Sequence, residues 1–243
     1  MINCSSSAKD DIKPLRMTTI SNAEEQAKWY RIAGYWTVQD SLLTENRGRS
    51  SIWGYHELMN YNTLVTVDSY PQYTNYSADI KIFNVKRTPV EILFAFLVNS
   101  PHLHYYYNFY AFKLTGSAEK ITRISLIQSQ RKNDALPFNA KFNYTIKELQ
   151  GVDYSLNYNE KHAIKITFDE KKATLNINGK PVISFELPVE NMEGRFAISN
   201  RNASIQIDKI TIKNGKEILF TDDFNYDSIK VFKVKAVKTN NPQ

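Results

Sequence analysis

Apolar and polar residues alternate most cleanly between Ala163 and Phe185. Ile164, Ile166 and Phe168 fall on one parity, Lys165 and Thr167 on the other. That is the period of a strand with one face buried and one face wet. Asp169-Glu170-Lys171-Lys172 interrupts the pattern as a turn, after which Ala173, Leu175 and Ile177 alternate with Thr174 and Asn176. Asn178-Gly179 then supplies two residues that tolerate positive φ, the requirement of a type I′ hairpin. Ile183 and Phe185 carry the apolar row into a third strand. The stretch predicts a three-strand meander.

Further strands are predicted at Trp36–Glu45, Asn62–Asp68, Ser77–Val85, Glu91–Val98, Tyr106–Leu114, Ile121–Gln128, Arg195–Asn200 and Ser204–Lys213. This spacing, with hardly a helix between, predicts an all-β fold, an antiparallel sandwich or barrel. Asn22 to Arg31 is the exception. Asn22 can cap a short helix, and Glu24 and Glu25 sit in its first turn. Ile205 and Ile207 share one parity while Ile210 and Ile212 share the other, so a bulge is expected near Asp208-Lys209. There is no internal repeat.

Composition narrows the class. The chain has 243 residues, 42% of them hydrophobic and 13% aromatic, which supports one real core and excludes a wholly disordered chain. The longest apolar run, Ile92 to Val98, is far short of a membrane-spanning helix. A net charge of +6 invites a nucleic-acid reading. However, Lys230, Lys233, Lys235 and Lys238 lie in an acid-free C-terminal stretch and account for four of those charges. Elsewhere the lysines alternate with Asp and Glu, so a solvated face and a basic tail are expected, and no nucleic-acid partner. The abundance of Phe, Ile, Asn, Lys and Tyr points to an AT-rich microbial genome.

Several segments, in this order, carry a resemblance. They are Gly34-Tyr35-Trp36-Thr37-Val38-Gln39-Asp40, Ser77-Ala78-Asp79-Ile80-Lys81-Ile82, Tyr107 to Leu114 and Ile177-Asn178-Gly179-Lys180. Gly194-Arg195-Phe196-Ala197-Ile198 and Ile207-Asp208-Lys209-Ile210 close the series. The sequence resembles the concanavalin A-like lectin/glucanase jelly rolls. Within them it is most similar to LamG-like domains and the family-16-like domain labelled 3-keto-disaccharide hydrolase. The resemblance covers about residues 30–213 and implies a two-sheet jelly roll. It departs from the family where Asp40-Ser41 stands in place of Asp-Gly. It departs again at Leu219 to Phe224, which resembles an opening segment but follows the last expected strand. A closing strand is the expectation there.

The resemblance does not bring a catalytic signature with it. Family-16 glycosidases place two carboxylates on one strand, about 5 Å apart for retaining chemistry, and no such spacing is found. Glu186, Glu190 and Glu193 fall around Pro188 and Gly194, in a connection. His102 and His104 share a parity but have no acidic or thiol neighbour close by. The densest unusual feature is His104-Tyr105-Tyr106-Tyr107-Asn108-Phe109-Tyr110, where alternation puts Tyr105, Tyr107 and Phe109 on one side. Aromatic faces stack on sugar C–H surfaces while polar groups take the hydroxyls. Tyr105, Tyr107, Phe109, Trp53 and His104 are therefore candidate ligand contacts, with Arg123 and Gln128 as donors. The same tyrosines also suit ordinary strand positions. In related jelly rolls an Asp on the closing strand holds a structural calcium, which makes Asp208 a candidate metal ligand.

Cys4 is the single cysteine, so no disulfide framework is expected. Cys4-Ser5-Ser6-Ser7 resembles the junction of a bacterial lipoprotein, which implies a lipid anchor on Cys4 and a place in the bacterial cell envelope. The expected organisation is a polar tether over residues 1–18, a sandwich over 19–224 and a basic strand or tail over 225–243. The expected role is a non-catalytic glycan-binding or adhesive domain facing a glycan or protein ligand. A sugar-processing hydrolase and a structural, protein-binding lipoprotein are the alternatives.

Overall fold

The computed structural model describes residues 18–20, 28–34, 36–45, 61–66, 68–70, 75–84, 88–99, 108–133, 144–190, 192–225 and 232–233. They form two antiparallel sheets. The strands are β1 (Thr18–Ile20), β2 (Trp29–Ala33), β3 (Trp36–Gln39), β4 (Leu42–Glu45), β5 (Asn62–Thr66) and β6 (Asn75–Asn84). Next come β7 (Val90–Asn99), β8 (Asn108–Gly116), β9 (Lys120–Arg131), β10 (Tyr144–Asn157), β11 (Lys161–Asp169) and β12 (Lys172–Ile177). The chain closes with β13 (Lys180–Glu186), β14 (Arg195–Arg201), β15 (Ala203–Asn214), β16 (Glu217–Asp222) and β17 (Phe232–Lys233). One sheet runs β10-β9-β8-β7-β14-β5-β2-β1-β17 and the other β13-β12-β11-β6-β15-β4-β3, with β16 also on β15.

The predicted meander is β11-β12-β13, and its second turn has positive φ at both Asn178 and Gly179. The predicted strand Trp36–Glu45 is instead a hairpin. Asp40 and Ser41 have φ of 53° and 57° and turn the chain in two residues, so Val38 faces Leu43. The predicted bulge is present, because the β15–β6 register shifts between Ile207 and Ile210. It also divides one edge of β15, which pairs with β4 before the bulge and β16 after it.

Two expectations are corrected. Trp29, Tyr30 and Arg31, placed at the end of a helix, are strand residues paired with β5; residues 22–27 of that helix lie outside the described residues. Pairing of the backbone across β5 outweighs the local capping signal there. The 14-residue β10 was not expected at all. It is an edge strand that packs Leu149, Val152, Tyr154 and Leu156 against the core, and two register shifts against β9 break its alternation.

The interior between the sheets is built from one parity of each strand. Tyr76 stacks on Phe196 at 4.9 Å and 7°, and Phe96 meets Phe168 edge-on at 5.1 Å. Leu219 to Asp222 lies in β16, a strand paired with β15. Asp222 is buried and accepts from Trp29 Nε1 at 2.8 Å and from the Phe224 amide at 3.1 Å, which fastens the last long strand to β2. Gly194 is where β14 crosses a bulge in β7. A Cβ there would lie 2.5 Å from Leu97 Cα, and Leu97 itself has φ of 51°.

Candidate functional site

The two sheets present very different outer faces. On the nine-stranded sheet the register sets side chains in rows across the strands. One row runs Asp153, Arg123, Thr115, Glu91, Arg201 over β10, β9, β8, β7 and β14. Two rows on, Ile127, Ala111, Ala95, Ala197 and Val65 stand side by side. The face is thus charged at one end and apolar at the other.

The apolar end is closed. Val65, Leu93, Ala95, Val98, Phe109, Ala111, Ile127 and Ala197 are buried and form a second cluster, separate from the interior. A sheet buried on both faces explains why β7 reads as an unbroken apolar run.

The charged end is centred on Glu91, whose side chain is 4% exposed. Its carboxylate takes Lys113 Nζ at 2.6 Å, the Arg201 guanidinium, and the Tyr61 hydroxyl, which donates at 3.2 Å. Arg201 also lies over the Tyr61 ring, 4.8 Å from its centroid. Lys113 and Arg201 remain 23% and 29% exposed. A buried anion thereby fixes two cations that still reach solvent. Flanking them, Arg123 bridges Glu148 at 2.5 Å and Asp153 at 3.4 Å, and its hydrogen bond to Glu148 is the main influence pushing its pKa up. The guanidinium lies across Gly151, where a Cβ would run into it.

On the eight-stranded sheet the outer face is open and polar. Lys161 hydrogen-bonds Asp208 and lies 3.7 Å from Asp79, and the Asp208 contact raises its pKa. Beside this triad a groove of ≈ 420 Å³ is lined by Ser77, Asp79, Ala163, Lys165, Thr167 and Asn176 among others.

Of the residues predicted from sequence, the described ones, Phe109, Arg123, Gln128 and Asp208, lie at separate places. Phe109 is 2% exposed in the closed apolar cluster. Arg123 is on the same face, but at the opposite end of β8–β9: Phe109 pairs with Ser129 while Thr115 pairs with Arg123, about 20 Å along the strand. Gln128 has the other parity and points inward, donating to the Tyr110 hydroxyl at 2.7 Å. Burial raises the pKa of that phenol, and the Gln128 bond opposes the shift. Trp53, His104, Tyr105, Tyr107 and Cys4 lie outside the described residues. Asp208 faces an ammonium, whereas calcium needs six to eight oxygens. Among the described residues no group of three His, Cys, Asp or Glu gathers to hold a metal. The donor set at Asp208 does not fit that ion.

Glu91, Lys113, Arg201 and Tyr61 escaped the sequence reading. The available signal was a single acid heading the apolar run Ile92–Val98, since a charge on a doubly buried strand needs partners.

The comparisons bear on the fold. No family model matches the chain, and no curated protein matches it. Among solved structures, carbohydrate binding module CBM66 from Bacillus subtilis is similar at 13% identity and a TM-score of 0.56, over 77% of this chain and 96% of that one. The carbohydrate recognition domain of Emp46p, in its potassium-bound form, is similar at 8% identity and 0.53, over 82% and 97%. These structures share the fold, the antiparallel two-sheet sandwich that the sequence implied.

Proposed function

We propose that the chain is a sugar-binding jelly-roll domain whose ligand lies on the charged end of the nine-stranded outer face. One observation carries this reading: Lys113 and Arg201 are held in place by a buried carboxylate and an aromatic ring, yet both still reach solvent. Pre-ordered donors lose little freedom on binding, and sugar hydroxyls need such planar or charged partners. The likeness to a carbohydrate binding module and a carbohydrate recognition domain supports the same reading. The Cys4-Ser5-Ser6-Ser7 start supports a lipid tether to a bacterial envelope. Fatty-acid labelling lost in Cys4→Ala tests that part.

A glycan array followed by titration calorimetry tests the main reading. Wild type should bind at least one glycan, and Arg201→Lys and Lys113→Met should each weaken it by about tenfold, with thermal melting run to verify folding. Failure of the folded wild type to bind any glycan overturns the proposal. So does binding that both folded variants leave unchanged.

A further inference from the structure

The groove on the eight-stranded sheet has a specific origin. On a regular sheet face, side chains project at every second residue and leave little room between them. Here three neighbouring positions are short: Ser77 on β6, Ala163 on β11 and Gly179 in the turn after β12. Ala163 stands opposite Asp79, between Lys161 and Lys165 on its own strand. Ser77, Lys165 and Asn176 form the next row across three strands. The result is a polar-rimmed hollow of ≈ 420 Å³, within the usual range for small-ligand sites.

Its rim has two kinds of chemistry. Asp79 is an acceptor steadied by Lys161, and among the described residues the Asn176 amide makes long contacts of 3.4 Å to Lys165 O, Thr167 Oγ1 and Thr174 O. These, with the Ser77 and Thr167 hydroxyls, suit a polyhydroxylated body. Lys165 differs, because it makes no ion pair among the described residues while Lys161 has two carboxylate neighbours. It is the ammonium left over for a ligand's own negative charge. We infer that the groove is a second binding site, separate from the nine-stranded face, for a sugar acid. The carboxylate lies on Lys165 and the hydroxyls on Asp79, Asn176 and Thr167.

The site is tested by amide NMR and calorimetry with glucuronate, methyl glucoside and acetate as probes. Glucuronate should shift Ser77, Lys165, Thr167 and Asn176 and bind at least tenfold more tightly than the other two. Lys165→Gln should weaken it about tenfold, while Lys172→Gln, an equal loss of charge elsewhere, changes it less than twofold. Ala163→Leu fills the hollow at an exposed position without altering charge, and should abolish the shifts. Equal binding of methyl glucoside overturns the role of Lys165, and equal binding of acetate overturns the sugar. Glucuronate bound as well by folded Ala163→Leu overturns the site. None of these outcomes touches Lys113 or Arg201, so the two sites stand or fall separately.

Discussion

The two outer faces solve the same problem in opposite ways. Each sheet has an interior face that fills the core and an outer face that must meet water or a cover. On the eight-stranded sheet the second face is mostly polar, and its ion pairs are exposed: Lys161 is 56% exposed, Asp79 47% and Asp208 40%. On the nine-stranded sheet the second face is apolar and buried at one end, and the carboxylate at its charged end is almost fully buried. Charges in water contribute little and can be lost with small effect. A buried charge is different, because removing one partner strands the others. The same formal contact, an acid with a cation, therefore means rigidity on one face and little on the other.

The comparison can be broken most directly at its two acids. Glu91→Ala should destabilise the fold by about 3–5 kcal/mol, because it leaves Lys113 and Arg201 together without their anion. Asp208→Ala should shift stability by less than about 1 kcal/mol. Urea midpoints decide, and equal shifts would erase the distinction. Apolar packing gives the next contrast. Ala95→Leu pushes into the closed row of alanines and should lose about 1–3 kcal/mol, whereas Ala163→Leu on the open face should stay within about 0.5 kcal/mol.

The interior shared by both sheets responds to alkali. Burial pushes Tyr158 up to about 12 and also raises Tyr70, Tyr76 and Tyr110. The folded state then holds phenol protons that the unfolded chain releases near pH 10. Stability is unaffected by these groups below pH 10 and falls as pH rises through 10 to 12. Absorbance of phenolate at 295 nm should lag in the native protein, and Tyr158→Phe should remove part of the loss. The smallest effect is ionic. Lys161→Met leaves Asp79 and Asp208 facing one another, so millimolar calcium should raise the melting temperature of that variant and leave wild type unmoved. An equal response in wild type would show that Lys161 does not exclude the ion.

Legibility followed solvent exposure. The meander and the bulge at Asp208-Lys209 could be read because each has one wet and one dry face, which writes a period of two into the residues. β10, whose alternation two register shifts interrupt, and β2, whose residues follow a helix-capping pattern, could not. β7 could be read as a strand, but its unbroken apolar run left open what covered its second face. The candidate site was less legible still. Arg123 and Gln128 sit five residues apart on one strand, and odd spacing sends them to opposite faces.

By itself, then, the order of residues determined that this is an antiparallel sandwich, where most strands lie, and that no paired-carboxylate glycosidase motif is written along a single strand. Local periodicity and turn chemistry act over a few residues, so a linear pattern carries them. Only the tertiary structure decided that Glu91, Lys113, Arg201 and Tyr61 share one cluster and that Lys161 joins Asp79 to Asp208. Those meetings depend on which strands become neighbours and in what register. That choice is made by strand pairing across separations of 22 to 140 residues.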